Sequence, residues 1–475
     1  MNGSNVLVIM SDEHAFEALG CYGHPLVRTP HIDALAERGV RFTNAYTPSP
    51  MCVPTRAAIA TGRYPHETGY WDSAHPYDGR VPSWGHRLIA NGRTCVSVGK
   101  LHFRSSDDDN GFAPELLPMH VVGGIGWMPG LLRDPLPDYT EQAAELARDT
   151  GVGDSAYTEY DRRICARACT WLRQEAAGQA EPWTLFVSFV APHYPLTAPE
   201  EFFALYPADA VDPPRDPDGA GRHPVLDALR AFYCYGDFFS EDKARIARAA
   251  YYGLVSFLDH NVGQVLDALE HSGLAGDTLV VYTSDHGELL GNHGLWTKQT
   301  MHEESAGVPL ILAGPGVAAG NVRDDPVSLI DLYPTIVEAA GVGATPGDPE
   351  HGVSLMTAGE ARSVLSEFHD GGSTTGFFMI RWAKWKYVHY VGAPPQLFDL
   401  SADPHELADL AARPDAADIL AEGERRLRAM LDPEDVNARA FAAQADRIAA
   451  FGGRDALERL GAFKHTPAPG TEPDG

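Results

Sequence analysis

Four short apolar or β-branched segments, each followed at once by polar residues, constrain the fold of this chain most strongly. They alternate with amphipathic segments, a pattern that is typical of a parallel sheet flanked by helices. Their continuous apolar character predicts strands that are buried on both faces. The four predicted strands are Val6–Met10, Cys95–Val98, Thr184–Val190 and Thr278–Thr283. We therefore predict an α/β fold with a large, mostly parallel sheet sandwiched by helices.

The last quarter of the chain changes character and indicates a second, smaller domain. Ser363–Phe368 is predicted as the last strand of the main sheet. Short antiparallel strands separated by turns are predicted after it, followed by an Ala/Arg-rich helix over Ala416–Leu431. We predict a catalytic domain over residues 1–370 and a C-terminal α+β domain over residues 371–475.

Charge and cysteine usage narrow the function classes. Lys and Arg number 37 against 65 Asp and Glu, which gives a net charge of −28. A chain without a basic face is a poor nucleic-acid binder, and any anion site in it must carry its own positive charge. The cysteines show no framework spacing, and the sequence shows neither a signal-peptide pattern nor an apolar run of about 20 residues. We expect a cytoplasmic protein without nucleic-acid or membrane partners, and a homo-oligomer stays open.

The polar residues that follow the four strands have the chemistry of a single cleft. In open α/β sheets the ligand crevice lies beyond the carboxyl ends of the strands, so parallel neighbours would bring these residues together. A single Asp after a strand is more often a helix cap. Four such clusters together suit a divalent cation that holds an anionic ester. The cleft candidates are Asp12, Glu13, Lys100, His102, His193, Asp285 and His286.

A nucleophile candidate lies in the segment Ser49–Gly62. Pro54 suits the first turn of a helix and Gly62 suits its end. Cys52 would then lie at a helix N-terminus, where the backbone amides and the dipole favour negative charge. Arg56 would lie one turn further along the same face. The alternative from the local pattern is a buried structural cysteine beside a surface arginine.

These motifs resemble the sulfatase family of the alkaline-phosphatase superfamily. Cys52–Arg56 matches the family signature Cys/Ser-x-Pro-x-Arg, and Thr61-Gly62-Arg63 continues it. Companion motifs follow in family order at Gly99–His102, Pro192-His193, Thr283–Gly287 and His293–Lys298. The resemblance covers nearly the whole chain. It implies an alkaline-phosphatase-like fold and a sulfuric ester hydrolase.

The resemblance implies that Cys52 is oxidised to formylglycine by a formylglycine-generating enzyme. The hydrated aldehyde would supply one oxygen that attacks sulfur, and a second hydroxyl whose deprotonation lets sulfate leave by C–O cleavage. The implied ligands of one divalent metal ion are Asp12, Asp285, His286 and modified Cys52. Glu13 would be either a further ligand or an acceptor outside the metal's ligand shell.

The resemblance also implies catalytic roles by position. Arg56 and Lys100 would orient the diol and neutralise charge. His102 would accept the diol proton, and two positions along an extended chain it would point the same way as Lys100. Lys298 and His193 would contact the sulfate, with His193 donating a proton to the leaving oxygen.

Departures from the family pattern leave the substrate open. Asp12-Glu13 stands where many sulfatases have two Asp. Asp285-His286 replaces the Asp-Asn pair of common arylsulfatases and resembles the choline-sulfatase and phosphonate-monoester-hydrolase branch. Asp72-Ser73-Ala74 stands where choline sulfatases have Asp-Asn-Ala.

We predict metal-dependent hydrolysis of a small alkyl or aryl sulfate ester. Calcium is the family expectation for the metal, and an imidazole ligand is also compatible with manganese or magnesium. The alternative at the same site is hydrolysis of a phosphonate monoester or a phosphodiester. A non-catalytic metal- or anion-binding protein, in which Cys52 stays a thiol, is the alternative of another class.

Overall fold

The computed structural model of the protein describes residues 3–137, 140–215, 222–357, 359, 362–460 and 465–471. The described strands are, in chain order, β1 (Asn5–Asp12), β2 (Val40–Phe42), β3 (Ala45–Tyr46), β4 (Thr94–Lys100), β5 (Glu115–Met119), β6 (Gly151–Val152), β7 (Trp183–Pro192), β8 (Thr197–Ala198), β9 (Thr278–Ser284), β10 (Leu310–Ala313), β11 (Asn321–Arg323), β12 (Val327–Ser328), β13 (Val364–Phe368), β14 (Phe377–Trp382), β15 (Trp385–Tyr390) and β16 (Ala393–Asp399). The described α-helices are α1 (Pro30–Glu37), α2 (Cys52–Thr61), α3 (Pro65–Thr68), α4 (Trp84–Ile89), α5 (Thr140–Arg148), α6 (Ala156–Gln174), α7 (Glu200–Phe203), α8 (Pro224–Tyr233), α9 (Glu241–His271), α10 (Glu303–Ala306), α11 (Leu332–Ala339), α12 (Ala417–Met430), α13 (Pro433–Ala450) and α14 (Arg454–Glu458).

An eight-stranded sheet forms the centre of the fold. Its strand order is β11-β2-β10-β9-β1-β7-β4-β5. The four strands predicted from the sequence, β9, β1, β7 and β4, are contiguous and parallel. Strand β10 runs antiparallel to both β9 and β2. The prediction of a large, mostly parallel sheet is confirmed.

Helices cover both faces of this sheet because successive side chains of its central strands point to opposite faces and are apolar. Leu7 and Ile9 of β1 pack in one buried cluster with residues of α1, α6 and α9. Val6 and Val8 of the same strand pack in a second cluster with residues of α2 and α11. Burial of each such side chain contributes about 1.5–3 kcal/mol. In the described part of the chain, no helix combines the length and the apolar composition needed to cross a bilayer.

The register of the parallel strands brings their carboxyl ends to one edge. Ser11 of β1 is opposite Ser284 of β9, and Asp12 is opposite Pro192 of β7. On the other side of β7, Gly99 of β4 is opposite Ser188. The polar residues that follow these four strands therefore meet at one edge of the sheet, as the crevice rule predicts.

A separate antiparallel sheet lies in the C-terminal part, with strand order β13-β14-β15-β16. Helix α12 packs against β14 and β15, which confirms the predicted strands and helix of this region. Strand β13 pairs with β14, with Phe368 opposite Phe377. The prediction that this strand ends the main sheet is wrong, because a short apolar run does not show which sheet it joins. The domain division at residue 370 stays a prediction.

Candidate active site

Cys52 lies in the first turn of a helix, as predicted. Helix α2 begins at Cys52 and is followed by Gly62, whose φ of 67° is left-handed. Burial and the nearby Asp12 carboxylate raise the pKa of the Cys52 thiol to about 12. A thiol is nucleophilic only as the thiolate. Burial and the Asp12 charge therefore disfavour the thiolate form of Cys52.

Arg56 joins the two carboxylates that follow β1 and β9. Its Nε donates to Asp285 Oδ2 at 2.8 Å, and its Nη2 donates to Asp12 Oδ2 at 2.9 Å. Its Nη1 donates to the Lys100 carbonyl at 2.8 Å and to Ser188 Oγ at 3.0 Å. The guanidinium is buried, and these bonds replace the hydration that it loses. Arg56 therefore holds both carboxylates in fixed orientations.

Four predicted ligands converge into a cluster that could hold a metal ion. The ligand atoms of Asp12, Cys52, Asp285 and His286 all lie within 4.8 Å of one another. Asp12 Oδ1 and His286 Nε2 are buried and have no hydrogen-bond partner among the described residues. His286 Nδ1 donates to the Gly287 carbonyl at 3.0 Å, which leaves the lone pair on Nε2 free for a ligand. Two carboxylates and an imidazole suit a divalent cation, so the residues present fit the implied metal.

Glu13 does not belong to this cluster. Its backbone has a φ of 64°, and its carboxylate groups with Asp12 and His193 instead. Its Oε2 accepts a hydrogen bond from Lys298 Nζ at 3.0 Å, while its backbone N–H donates to Asp285 Oδ1 at 3.2 Å. Burial raises the pKa of the Glu13 carboxyl well above its usual value. A role for Glu13 as a metal ligand stays a prediction.

Lys100 lies beside the group of candidate metal ligands, and the glycine before it allows this position. Gly99 has a φ of 103°, and a Cβ there would lie 2.2 Å from the Ser188 carbonyl oxygen, so β4 and β7 approach closely only with glycine. Lys100 Nζ lies 2.7 Å from Asp12 Oδ2. Burial opposes ionisation of Asp12, but Lys100 and the neighbouring cations outweigh burial and hold the Asp12 pKa well below its usual value.

His193 and Lys298 form a hydrogen-bonded pair. Lys298 Nζ donates to His193 Nε2 at 3.1 Å, and His193 Nδ1 donates to the Tyr194 carbonyl at 2.7 Å. Burial and the positive charge of Lys298 hold the His193 pKa well below its usual value. Burial lowers the pKa of Lys298, but Glu13 and the other nearby acidic groups together outweigh burial and raise that pKa well above its usual value. In this pair Lys298 Nζ is the hydrogen-bond donor and His193 Nε2 is the acceptor.

His102 lines the same cavity as Cys52 and Lys100. The predicted extended chain between Lys100 and His102 is wrong, because β4 ends at Lys100 and His102 has a φ of 56°. His102 Nε2 lies 3.0 Å from Thr466 Oγ1. Its Nδ1 is buried and has no hydrogen-bond partner in the described part of the chain. Burial and the charge of Lys100 hold the His102 pKa well below its usual value.

The cavity beside Cys52 combines predicted and unpredicted residues. No Asp or Glu occurs among its described lining residues. Of the unpredicted ones, Tyr194 directly follows His193, so the strand-end motif could have indicated it. Tyr157 and Thr466 carry no local signal that could have been read. The residues discussed below that line the cavity are Cys52, Ser73, Lys100, His102, Val121, Trp127, Tyr157, His193, Tyr194, Lys298 and Thr466.

Comparisons with known proteins are consistent with this site. The chain matches the family model described as Sulfatase over residues 4–342, and the model described as N-sulphoglucosamine sulphohydrolase, C-terminal, over residues 291–432. It is 35% identical over 435 residues to a choline-sulfatase of Rhizobium meliloti (strain 1021), a match that covers 86% of this chain and 83% of that protein.

Solved structures share the fold. The phosphonate monoester hydrolase of Agrobacterium radiobacter superposes with a TM-score of 0.70 at 23% identity, over 92% of this chain and 96% of that chain. BT4656, solved in complex with its substrate D-glucosamine-2-N,6-O-disulfate, superposes with a TM-score of 0.74 at 22% identity, over 92% of this chain and 99% of that chain. At this level of identity the superpositions establish the alkaline-phosphatase-like fold alone.

Proposed function

Because the chain belongs to the sulfatase family and is a sulfuric ester hydrolase, we propose that it hydrolyses a small alkyl or aryl sulfate through a formylglycine made from Cys52. One observation carries this proposal, the convergence of Cys52 with Asp12, Asp285 and His286 within 4.8 Å. These residues come from α2, from the end of β1 and from the segment after β9. Packing alone gives no reason for such a convergence of polar groups.

A divalent ion bound by Asp12, Asp285, His286 and modified Cys52 would polarise the ester and favour the deprotonated nucleophile. Calcium is the metal we propose, with manganese or magnesium compatible with the imidazole ligand. The hydrated aldehyde of formylglycine supplies one hydroxyl for attack on sulfur and a second that lets sulfate leave. We further propose that a formylglycine-generating enzyme acts on Cys52 in the cytoplasm. A homo-oligomeric state is compatible with this proposal.

The remaining polar residues bind and orient the sulfate. Arg56 and Lys100 hold Asp12 in position and add positive charge beside Cys52. Lys298 and His193 would contact the sulfate, with His193 donating a proton to the leaving oxygen. His102 would accept the proton of the second hydroxyl. These cations also offset the repulsion of an anionic substrate by a net charge of −28.

The outer cavity supports an apolar leaving group. Val121, Trp127, Tyr157 and Tyr194 line it, and such surfaces bind alkyl and aryl groups by burial. Ser73 also lines it, but both the N–H and the hydroxyl of Ser73 donate to Asp370 Oδ2, at 2.8 and 2.5 Å. With this hydroxyl held by Asp370, the further polar side chains that line the cavity are those of Gln142, Gln299 and His465, and the aromatic surface offers burial to an alkyl or aryl group.

A substrate panel on metal-analysed protein tests the proposal. We expect p-nitrophenyl sulfate to be hydrolysed with a higher kcat/KM than bis-p-nitrophenyl phosphate or phenyl p-nitrophenylphosphonate. The mass of the peptide that holds Cys52 must be measured on the same sample, since the proposal requires the aldehyde. Faster hydrolysis of the phosphorus esters would favour the alternative function. Turnover of sulfate esters by protein with an unmodified thiol at position 52 would contradict the proposed nucleophile.

A further inference from the structure

We propose that Thr466 is a positioning residue for His102. The C-terminal segment 465–471 would then contribute to the active site. The proposal rests on the proposed function in one respect, the role of His102 as acceptor of a proton during sulfate release. Thr466 touches His102 and is not itself assigned a chemical step.

The segment is anchored beside the cavity at three places. The Tyr157 hydroxyl donates to the Thr466 carbonyl at 2.5 Å. Arg163 Nη1 donates to the Pro469 carbonyl at 2.9 Å. Ala468 is buried in the same apolar cluster as Tyr157 and the strands of the main sheet. These contacts hold the backbone of Thr466 in one position relative to α6.

Thr466 supplies a side-chain contact to the His102 ring. The two residues are 364 positions apart in sequence, and Thr466 Oγ1 lies 3.0 Å from His102 Nε2. The Nδ1 atom of His102 is buried without a hydrogen-bond partner among the described residues. Within the described part of the chain, the ring is therefore hydrogen-bonded through Nε2. His102 lies outside the regular part of β4, and the strand ladder does not hold its side chain.

A hydrogen bond at one ring nitrogen determines what the other can do. If the Thr466 hydroxyl accepts the N–H of Nε2, Nδ1 carries the lone pair and can take a proton. The same bond also prevents the ring from turning about its last side-chain torsion. Hydrogen-bond partners orient metal-ligating histidines in the same way, and loss of such a partner costs about 10–100-fold in metal affinity or activity. The contact with Thr466 thus gives His102 an orientation and, where the hydroxyl accepts, the tautomer that leaves Nδ1 free to take a proton.

Three substitutions separate positioning from a structural role. Thr466→Val removes the hydroxyl and keeps the shape of the side chain, whereas Thr466→Ser keeps the hydroxyl. Thr471→Val is the matched control, because the Thr471 hydroxyl donates to the Ala468 carbonyl at 2.7 Å within the same segment. We expect Thr466→Val to lower kcat on p-nitrophenyl sulfate about tenfold, with KM and melting temperature unchanged. Thr466→Ser and Thr471→Val are expected to stay within about twofold of the original protein.

A second readout does not depend on turnover. The ¹⁵N shifts of the His102 ring, assigned by their loss in His102→Gln, report its tautomer directly. We expect Thr466→Val to shift them and Thr466→Ser to restore them. If the unsubstituted protein hydrolyses no sulfate ester, the proposed function fails, and these shifts still decide the role of Thr466.

Three results would overturn the proposal. The first is a kcat for Thr466→Val equal to that of the original protein. The second is a loss in Thr466→Ser as large as that in Thr466→Val, which would mean that shape and not the hydroxyl matters. The third is a set of His102 shifts that Thr466→Val leaves unchanged, whatever happens to kcat.

Discussion

Asp12 Oδ1 lies 4.0 Å from His286 Nε2, and neither of these buried atoms has a hydrogen-bond partner among the described residues. Leaving a buried polar atom unpaired costs about 1–3 kcal/mol. A cation bound to both atoms at the usual distances of about 2.0–2.6 Å would remove that cost. We propose that the metal ion binds between these two atoms.

Asp285→Asn should weaken metal binding. The change removes one negative charge from the cluster and weakens the bond that Arg56 Nε makes to Asp285 Oδ2 at 2.8 Å. We expect an affinity for calcium about 100-fold lower, measured by metal analysis after equilibrium dialysis. Asp259→Asn is the control, since Asp259 is a buried carboxylate that accepts the backbone N–H of Ile32 at 2.8 Å. Unchanged metal content in Asp285→Asn would remove Asp285 from the ligand set.

Glu13→Gln separates the two roles open to Glu13. Glu13 Oε2 accepts a hydrogen bond from Lys298 Nζ at 3.0 Å. The neutral amide of Gln would weaken this bond and leave Lys298 less well positioned. We expect kcat/KM to fall about tenfold while the bound metal per chain stays the same. Metal analysis and steady-state kinetics on one preparation check both statements. A parallel loss of metal would show instead that Glu13 is a ligand.

Cys52→Ala should abolish turnover without unfolding the protein. The side chain is buried at the start of α2, and the loss of a single sulfur removes little apolar contact. We expect no detectable hydrolysis of p-nitrophenyl sulfate, together with an unchanged circular dichroism spectrum. Cys234→Ala, at a half-buried cysteine of the part preceding α9, is expected to keep full activity. Residual activity in Cys52→Ala would end the claim that position 52 supplies the nucleophile.

Much of the site could be predicted because its residues follow strands that the sequence marks clearly. Parallel neighbours end at one edge, so the convergence of Asp12, Lys100 and Asp285 required only the strand order. The position of Cys52 followed from Pro54 and the glycine that ends its helix.

Other features depend on interactions that leave no local pattern. The carboxylate of Glu13 is directed by a left-handed backbone with a φ of 64°, which no residue preference at Glu predicts. Thr466 meets His102 across 364 positions. Strand β13 is fully buried, as the central strands of the main sheet are, and only its pairing with β14 assigns it to the C-terminal sheet.

Lys386→Met should destabilise the C-terminal sheet. Lys386 Nζ is buried 2.7 Å from Glu303 Oε1 and 2.8 Å from Glu406 Oε1. Removal of one partner from a buried ion pair costs about 3 kcal/mol, so we expect the free energy of unfolding in urea to fall by that amount. Lys384→Met is the matched control, because Lys384 pairs with Asp399 at 2.6 Å but its side chain is 49% exposed. Such a surface pair contributes about 0.5 kcal/mol, and equal losses in the two variants would contradict the burial argument.

The same pair predicts a loss of stability in acid. Burial opposes ionisation of Glu406, but Lys386 and His302 together outweigh burial and lower the Glu406 pKa to about 2. In the unfolded chain a Glu has a pKa of about 4.3. Because the folded state binds the proton only at lower pH, the stabilisation is complete above about pH 4.3 and is lost as the pH falls toward 2. Urea unfolding across this range should show the free energy of unfolding falling in the original protein and falling less in Lys386→Met. An equal dependence of this free energy on pH in both proteins would contradict the role of Lys386.

Anomalous diffraction from crystals grown with Mn²⁺ tests the central claim most directly. Manganese prefers the same oxygen and imidazole ligands and gives a signal that locates it without ambiguity. We predict one strong peak bonded to Asp12 Oδ1, Asp285 and His286 Nε2, next to an oxygen of the residue at position 52. A strong peak elsewhere with none between Asp12 and His286 would contradict the account.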